Sequence, residues 1–393
     1  MIATPDTTTL ARLRYEVERR LPDYLADLES IVGIESGSYT KSGVDAVASW
    51  MASRLASLGA SIERHPNTEL GDTVVATFEG APAGPAIILI GHADTVFDPG
   101  YLERRPYEID DDVILGPGVS DMKSGLLTGL YALEAVRAVL GDGPLPFGRL
   151  VYVVNPDEEI GSPVSSDLIA GLARGADAAF VMEAARASGA IVSARKGMMH
   201  LRATLRGRSA HAGVEPEKGR SATLEAAYKA VALHALNGRW PGVTVNVGEI
   251  RGGTRPNIVA EEAIMTIDLR ARLVAEQDEA KATIFEILEG STVPDVTTAI
   301  EILADTRPME KSPASARLVE AAVAIAAELG FALADAETGG SSDANTTAAV
   351  GVPSVDGLGP VGGNDHTPLE YIEKSSIVPR TTLLAALLLS VGR

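Results

Sequence analysis

Metal-capable side chains follow several short apolar runs of this sequence. The run at 150–154 leads to three successive acids, Asp157, Glu158 and Glu159. Adjacent carboxylates repel one another, so a cation must offset their charge unless the acids face water. Similar groups come after other apolar runs: His92 and Asp94 after 86–90, Glu183 after 178–182, and His366 beyond 351–355.

A further acid, Asp121, lies in G-P-G-V-S-D-M-K-S-G, just before a predicted helix. In open α/β sheets, ligands bind beyond the carboxyl ends of the strands, so these groups can converge at one edge. Two imidazoles with three carboxylates and no thiolate suit zinc or a similar divalent ion. Each residue alone has a simpler interpretation, with His92 structural, Asp121 a helix cap and 157–159 a solvated loop. The repeated pattern favours the metal site.

The bulk composition limits the classes of function. The chain has 393 residues and a formal net charge of -19. This length usually makes two or more compact units, and the negative charge argues against nucleic-acid or membrane partners. With no cysteine, disulfides and thiolate metal sites are excluded. The first residues lack the apolar segment of a secretory signal. The apolar tail at 381–391 is too short for a membrane span and is predicted to be a packed helix. We therefore expect a cytoplasmic protein.

Alternating apolar runs and amphipathic stretches predict an α/β domain with helices on both faces of its sheet. Strands are predicted at 86–90, 150–154 and 178–182, and helices at 10–31, 44–58 and 124–140. From 198 to 303 the predicted order is β-α-β-β-α-β, which is typical of a ferredoxin-like unit. The sequence therefore predicts one α/β domain of residues 1–195 and 307–393, interrupted by an inserted domain at 196–306.

Several motifs together carry a resemblance to a known family: G-H-A-D-T-V, G-P-G-V-S-D-M-K-S-G, N-P-D-E-E-I-G-S, G-R-S-A-H-A-G-V-E-P-E-K-G, G-G-S-S-D-A-N and N-D-H-T-P. From about Ile34 to the C-terminus, the sequence resembles the co-catalytic zinc metallopeptidases of the glutamate carboxypeptidase/aminoacylase family. Within it, the sequence is most similar to the folate-hydrolysing glutamate carboxypeptidases. The resemblance implies a zinc-peptidase-type α/β/α catalytic domain whose insertion is a ferredoxin-like dimerisation (lid) domain.

The resemblance also implies roles for the metal-capable residues. It implies two zinc ions per chain, which cobalt or manganese could replace: His92, Asp121 and Glu183 hold one ion, and Asp121, Glu159 and His366 hold the other. Asp94 orients the imidazole of His92. Glu158 is the general base for a bridging water that is deprotonated near neutral pH and attacks the amide carbonyl. The peptide bond Asp121–Met122 is expected to be cis.

The same resemblance implies a substrate with a free carboxylate. Arg270 and Arg307 match family positions that anchor this group, and Asn257 matches a substrate-contacting position. On the residues alone, the two arginines could instead be surface ion-pair partners. His211 implies a homodimer through the inserted domain, because in the family this histidine donates to the oxyanion in the partner subunit. The family commonly has a proline after the metal ligand that corresponds to Glu183. Here Ala184 follows Glu183, so the subfamily stays open.

The leading interpretation is a dizinc amidohydrolase that removes a C-terminal amino acid, with glutamate expected, from a small N-acyl or peptidyl substrate. One alternative is a deacylase or desuccinylase of the acetylornithine or diaminopimelate type, which the metal residues do not distinguish. Another is a non-catalytic metal or peptide binder. Retention of Glu158 beside the predicted ligands argues against a binder, which needs no base.

Overall fold

The computed structural model describes residues 2, 4–141 and 143–391. The chain divides into two compact units. The first unit comprises Met1–Ser193, Lys311–Glu337 and Ser342–Arg393, and the second comprises Ala194–Glu310 and Thr338–Ser341. The insertion predicted at 196–306 lies within the second unit, and its function in dimerisation stays a prediction.

Helices and strands alternate along most of the chain. The helices of the described residues are α1 (Thr7–Glu18), α2 (Leu21–Val32), α3 (Lys41–Ser57), α4 (Ser124–Leu140), α5 (Ser166–Ala173), α6 (Ala222–His234), α7 (Val274–Glu289), α8 (Pro313–Glu328), α9 (Asp343–Ala349) and α10 (Lys374–Val391). The strands are β1 (Ser61–His65), β2 (Thr73–Glu79), β3 (Ala86–His92), β4 (Glu108–Asp110), β5 (Val113–Leu115), β6 (Arg149–Asn155), β7 (Ala178–Val181), β8 (Ile191–Arg195), β9 (Gly197–Arg206), β10 (Thr244–Gly252), β11 (Glu262–Ala271), β12 (Thr297–Thr306), β13 (Asp335–Thr338), β14 (Ser354–Val355), β15 (Gly362–Gly363) and β16 (Tyr371–Glu373).

A six-stranded sheet forms the centre of the first unit, in the order β1-β2-β6-β3-β7-β14. β6, β3, β7 and β14 run parallel, and β1 and β2 add an antiparallel edge. β3, β6 and β7 are buried almost throughout, as expected of parallel strands with helices on both faces. The predicted α/β class is confirmed.

The register of β3, β6 and β7 places their carboxyl ends side by side. His92 at the end of β3 pairs with Asn155 at the end of β6, and Ile90 pairs with Val181 at the end of β7. Residues that follow these strands therefore meet at one edge of the sheet, where open α/β sheets bind ligands.

The single helix predicted at 10–31 is wrong, because two helices, α1 and α2, cover this range. α1 ends at Glu18 and α2 begins at Leu21. Pro22 lies in the first turn of α2. In a continuous helix, its ring would clash with the carbonyl group four residues earlier and its missing N–H would break the hydrogen-bond ladder. A first turn tolerates proline, so a new helix starts there.

α10 belongs to the hydrophobic core of the first unit. The prediction of a tail too short for a membrane span is wrong on length, because α10 begins at Lys374 and is long and apolar enough to cross a membrane. However, 72% of this helix is buried inside the protein, where it packs on α4, α1 and α8. A helix that is apolar on all faces is typical of a protein core as well as of a membrane span.

The second unit contains an antiparallel sheet in the order β10-β11-β9-β12. Together with α6 and α7, its strands follow the chain order β-α-β-β-α-β. Alternate residues of β9 and β11 are buried, which is typical of a sheet with one covered face. Leu201, Ile267 and Ala226 contribute to a hydrophobic core separate from that of the first unit.

Candidate metal centre

The side chains that the sequence predicts as metal ligands lie together beyond the ends of the parallel strands. The ligand atoms of His92, Asp121 and Glu159 lie within 4.8 Å of one another, and so do those of His92, Glu158 and Glu183. His92 belongs to both groups and is fully buried. The two groups are therefore parts of one cluster.

Asp121 contacts two histidines, one with each carboxylate oxygen. Its Oδ1 is 3.0 Å from Nε2 of His92, and its Oδ2 is 3.2 Å from Nε2 of His366. Nε2 of His366 is also 3.1 Å from Oε2 of Glu159, and Nε2 of His92 is 3.6 Å from Oε1 of Glu183. A carboxylate whose oxygens face two separate donor groups has the arrangement needed to bridge two metal ions.

The turn that carries Asp121 departs from regular helix. Asp121 and the next residue have non-helical backbone angles within Val119–Lys123, and the peptide bond between them is cis, as expected. α4, which follows, approaches the end of β7 closely at Gly125. A Cβ at Gly125 would lie only 1.8 Å from the carbonyl oxygen of Met182. A residue with a side chain would therefore push α4 away from Glu183.

Burial and mutual repulsion change the proton affinity of the carboxyl groups. Burial, together with the charge of neighbouring acids, raises the pKa of Glu158 and of Glu183 well above the ordinary value. Burial and the charge of Asp121 raise the pKa of Glu159 to about 7. Although burial also opposes ionisation of Asp121, hydrogen bonds with His366 and His92 hold the pKa of Asp121 below its ordinary value.

The pKa values of the two histidines are raised by the neighbouring acids. Hydrogen bonds with Asp121 and Glu159 raise the pKa of His366 to about 11. Burial alone would lower the pKa of His92, but hydrogen bonds with Asp121 and Asp94 raise it well above the ordinary value. Without metal, protons on the imidazoles therefore compensate the acids.

The donor set fits divalent cations. Oε1 of Glu159 is buried and has no hydrogen-bond partner within the described part of the chain. A buried polar atom without a partner is costly, and a cation at this place would remove the cost. Imidazole nitrogen and carboxylate oxygen, without sulfur, are ligands of zinc and similar ions. The residues of the cluster are therefore suited to hold a divalent metal.

Metal binding to this centre should release protons at pH 7. An imidazole must be neutral to ligate a metal, whereas His366, with its pKa of about 11, is protonated in the metal-free protein. The apparent metal affinity should therefore rise as pH increases and fall as pH decreases. Calorimetric titration with Zn2+ in buffers of different ionisation enthalpy counts the released protons. His366→Asn should release fewer protons, by about one; an unchanged count would contradict the prediction.

Asp94 connects His92 with the turn that carries Glu158 and Glu159. Its Oδ1 is 3.3 Å from Nδ1 of His92 and accepts a hydrogen bond from the backbone N–H of Glu158 at 3.2 Å. Its Oδ2 accepts hydrogen bonds from the backbone N–H of Glu159 at 3.2 Å and from Oγ of Ser38 at 2.7 Å. Nδ1 of His92 is also 3.0 Å from the backbone carbonyl oxygen of Asp94, so the carbonyl and the carboxylate of Asp94 can both orient the imidazole. The contacts with the turn were not predicted from the sequence.

The three successive acids separate in the structure. Glu158 and Glu159 belong to a short helical turn after β6 and join the metal-capable cluster. Asp157 is buried, and its carboxylate accepts hydrogen bonds from the backbone N–H of Val164 at 2.6 Å and from Oγ of Ser165 at 2.5 Å. Its carboxylate is therefore bound by the loop that follows, although burial still raises the pKa of Asp157 above its ordinary value.

Buried ionisable residues near the centre that were not predicted from the sequence include Lys123, Asp343 and Glu370. Nζ of Lys123 donates to the carbonyl oxygen of Ile34 at 2.7 Å, and burial lowers the pKa of Lys123 to about 7. Asp343 accepts a hydrogen bond from Oγ of Ser162 at 2.8 Å, and burial raises its pKa to about 6. Each of the three lies inside or just after one of the motifs that carry the family resemblance, and this position could have indicated them from the sequence.

His211 and Asn257 lie in the second unit, whereas the predicted ligands and Glu158 belong to the first. Both residues are exposed. They are neighbours, because the backbone N–H of Ala212 donates to the carbonyl oxygen of Asn257 at 3.0 Å. The imidazole of His211 accepts a hydrogen bond from the backbone N–H of Gly213 at 3.2 Å. Their roles toward substrate stay predictions.

Arg270 and Arg307, also in the second unit, make ion pairs with nearby acids. Nε of Arg270 is 3.0 Å from Oδ1 of Asp268, and Arg307 pairs with Asp278. These are the ion pairs that the sequence left open as an alternative to substrate binding. An ion pair does not exclude a second carboxylate, because a guanidinium has five N–H donors.

The sequence matches the peptidase family M20/M25/M40 over residues 88–390. It is 28% identical over 376 residues to carboxypeptidase G2 of Pseudomonas sp. strain RS-16, a match that covers 94% of this chain and 90% of that protein. It is 26% identical over 318 residues to the succinyl-diaminopimelate desuccinylase of Bordetella petrii, which covers 76% of this chain and 80% of that protein.

The fold is similar to that of aminopeptidase PepT from Bacillus cereus, with a TM-score of 0.77 and 22% sequence identity. That similarity covers 95% of this chain and 99% of the other. The family match extends from β3 to α10 and includes all of the predicted metal ligands. The chain therefore belongs to the peptidase family M20/M25/M40.

Proposed function

We propose that the protein is a dizinc amidohydrolase that cleaves a small N-acyl or peptidyl amino acid and releases a C-terminal glutamate. The observation that carries this proposal is the position of Asp121 between His92 and His366, with Glu158 in the same cluster. Membership of a peptidase family supports hydrolysis of an amide bond. The choice of glutamate as the released amino acid is more specific, and it is based on the resemblance to folate-hydrolysing glutamate carboxypeptidases.

Amide hydrolysis needs a nucleophile, a proton acceptor and stabilisation of negative charge on the carbonyl oxygen. Divalent ions, when bound, supply Lewis-acid stabilisation and lower the pKa of water. The residues that would hold them are His92, Asp121, Glu159, Glu183 and His366. Glu158 accepts a proton from the attacking water while the water oxygen bonds to the amide carbon. It then donates this proton to the leaving nitrogen as the C–N bond breaks, which yields a carboxylic acid and an amine.

Two further sets of residues have roles in the proposed mechanism. Asp94 orients His92 and, through the backbone N–H of Glu158, fixes the direction of the base. Arg270 and Arg307 bind the free carboxylate of the substrate, with Asn257 as a further contact, since a guanidinium can hold a carboxylate and a neighbouring acid together.

We further propose that two copies of the chain associate through the inserted domain. On α6, Leu224, Tyr228 and Val231 lie on one face and are 48%, 48% and 72% exposed. α6 packs beside β10, an edge strand of its sheet, on which Ile250 is 46% exposed. An apolar stripe next to an edge strand favours association with a second protein surface.

His211 should act in trans, at the active site of the partner copy, where it donates to the carbonyl oxygen. His211→Ala should therefore lower kcat by about 10²–10³-fold, as for the loss of one oxyanion donor, while metal content stays unchanged. Mixing His211→Ala with Glu158→Gln tests the arrangement, because subunit exchange leaves one complete site in each heterodimer. A confirmed heterodimer without recovered activity would contradict action in trans.

A second candidate is a deacylase or desuccinylase, which the similarity to a succinyl-diaminopimelate desuccinylase favours. Hydrolysis rates over a panel of N-acyl amino acids, including N-acyl-glutamates, N-acetyl-ornithine and N-succinyl-diaminopimelate, separate the two, with metal content measured on the same sample. Preference for N-acyl-glutamates is expected. Two bound metals without hydrolysis of any panel member would favour a binding protein. We also propose a cytoplasmic location.

A further inference from the structure

The carboxylate of Glu370 holds the backbone of the turn that carries Asp121. Its Oε1 accepts hydrogen bonds from the N–H groups of Ser120 at 2.8 Å and of Asp121 at 3.0 Å. Its Oε2 accepts a hydrogen bond from the N–H of Gly118 at 3.0 Å. Glu370 is only 3% exposed. One buried side chain therefore satisfies three backbone donors of this turn.

Glu370 follows His366 by four residues, in a loop that is braced by its own hydrogen bonds. Oγ1 of Thr367 donates to the carbonyl oxygen of Asn364 at 2.7 Å, and Nδ2 of Asn364 donates to that of Leu369 at 3.2 Å. Because of this bracing, Glu370 and His366 are parts of one local structure. The loop contacts Asp121 twice, at its backbone through Glu370 and at its carboxylate through His366.

We infer that Glu370 is a positioning residue that fixes the carboxylate of Asp121 relative to His366, so that Asp121 can serve two metal ions at once. The inference rests on the proposed two-metal site. Because the turn is irregular, not all of its backbone N–H groups have partners within the turn, and three of them donate to Glu370 instead. Without the hydrogen bonds to Glu370, the turn would relax, and the carboxylate oxygens of Asp121 would move away from both metal sites.

Glutamine is the informative replacement, because it keeps the length of the side chain but has one acceptor oxygen. Its oxygen could still accept from Ser120 and Asp121, while its NH2 group would face the N–H of Gly118, donor against donor. Glu225 offers a control in the second unit, where it also pairs with the buried Lys229 at 3.2 Å. It is 1% exposed, and its carboxylate likewise accepts backbone N–H groups, from Thr292 at 3.0 Å and from Val293 at 2.6 Å.

The test compares wild type, Glu370→Gln and Glu225→Gln as full-length, chelator-treated proteins titrated with Co2+. Calorimetry gives the affinity of each site, and visible absorption reports the coordination of the ion. Glu370→Gln should weaken both sites by about 10–100-fold, the usual effect of losing an outer partner of a ligand, and should change the cobalt spectrum. Glu225→Gln should leave both properties as in wild type, whatever it does to thermal stability.

If Glu370→Gln binds two ions with wild-type affinity and spectrum, Glu370 only stabilises the fold and the inference is wrong. Weakening of one site alone would also contradict it, because Asp121 serves both. Should Glu370→Gln fail to fold, Glu370→Asp is titrated instead, since its shorter side chain cannot reach all three donors. Wild-type protein that binds fewer than two ions would contradict the proposed function itself, and this result is distinguishable from the others.

Discussion

Glu158→Gln should leave metal binding close to that of wild type while lowering kcat by about 10²–10⁴-fold or more. This range is the usual contribution of one general acid–base group, and a larger loss is expected because Glu158 serves two proton transfers in the proposed mechanism. Glutamine keeps the size of the side chain but cannot accept a proton at neutral pH. The measurement is kcat on the preferred substrate, with metal content determined on the same preparation.

The neighbouring acids provide the controls for this prediction. Glu159→Gln replaces a predicted ligand, so it should lose metal as well as activity. Asp157→Asn should disturb the loop at 162–165, because Asp157 contacts Val164 and Ser165, and should reduce thermal stability more than kcat. High residual activity in Glu158→Gln would contradict its role as the base. Asp157 could not replace it as the base, because its carboxylate oxygens accept hydrogen bonds from Val164 and Ser165.

The convergence of the metal-capable residues could be predicted from the sequence because the responsible signals are local. β3, β6 and β7 are continuous apolar runs, and the chemistry-bearing residues follow each run directly. The rule that parallel strands end at one edge then places these residues together. Asp121 could be predicted as a candidate from its position in a Gly/Pro loop before a helix, but its role between two metal ions came only from the family resemblance, since its turn has no periodic pattern.

The supports of the centre could not be predicted, because they depend on contacts that are distant in sequence. Glu370 and the backbone of Asp121 are 249 residues apart. The position of Glu370 just after N-D-H-T-P makes it a candidate, but does not indicate which backbone groups it contacts. The same holds for the hydrogen bond from Lys123 to Ile34. Hydrophobic periodicity predicts which face of an element is buried, but not which polar group it meets there.

Short and irregular elements were missed for a related reason. The antiparallel sheet of β15, β16, β5 and β4 consists of strands of two or three residues, too few for an alternating pattern to be visible. This sheet nevertheless joins the segment before Asp121 to the segment after His366. The break between α1 and α2, by contrast, was available in the sequence, because Pro22 marks it.

Asp121→Ala should remove both metal ions, not one. Each oxygen of Asp121 contacts a different histidine, so the substitution deletes a donor from both sites at once. We expect the affinity for both ions to fall by more than the roughly 10–100-fold that loss of an outer partner costs, and activity to fall with it. Metal content after dialysis, and titration of the chelator-treated protein with Zn2+, measure the effect.

Single-site variants give this prediction its contrast. Glu183→Ala should lower the affinity for the ion that Glu183 shares with His92. Glu159→Ala should lower the affinity for the ion that Glu159 shares with His366. In each variant the other site should stay occupied at micromolar metal. Asp121→Ala should differ from both by losing the second binding step as well. One retained site of wild-type affinity in Asp121→Ala would show that Asp121 belongs to a single ion. The bridging assignment, and the two-metal mechanism that depends on it, would then be wrong.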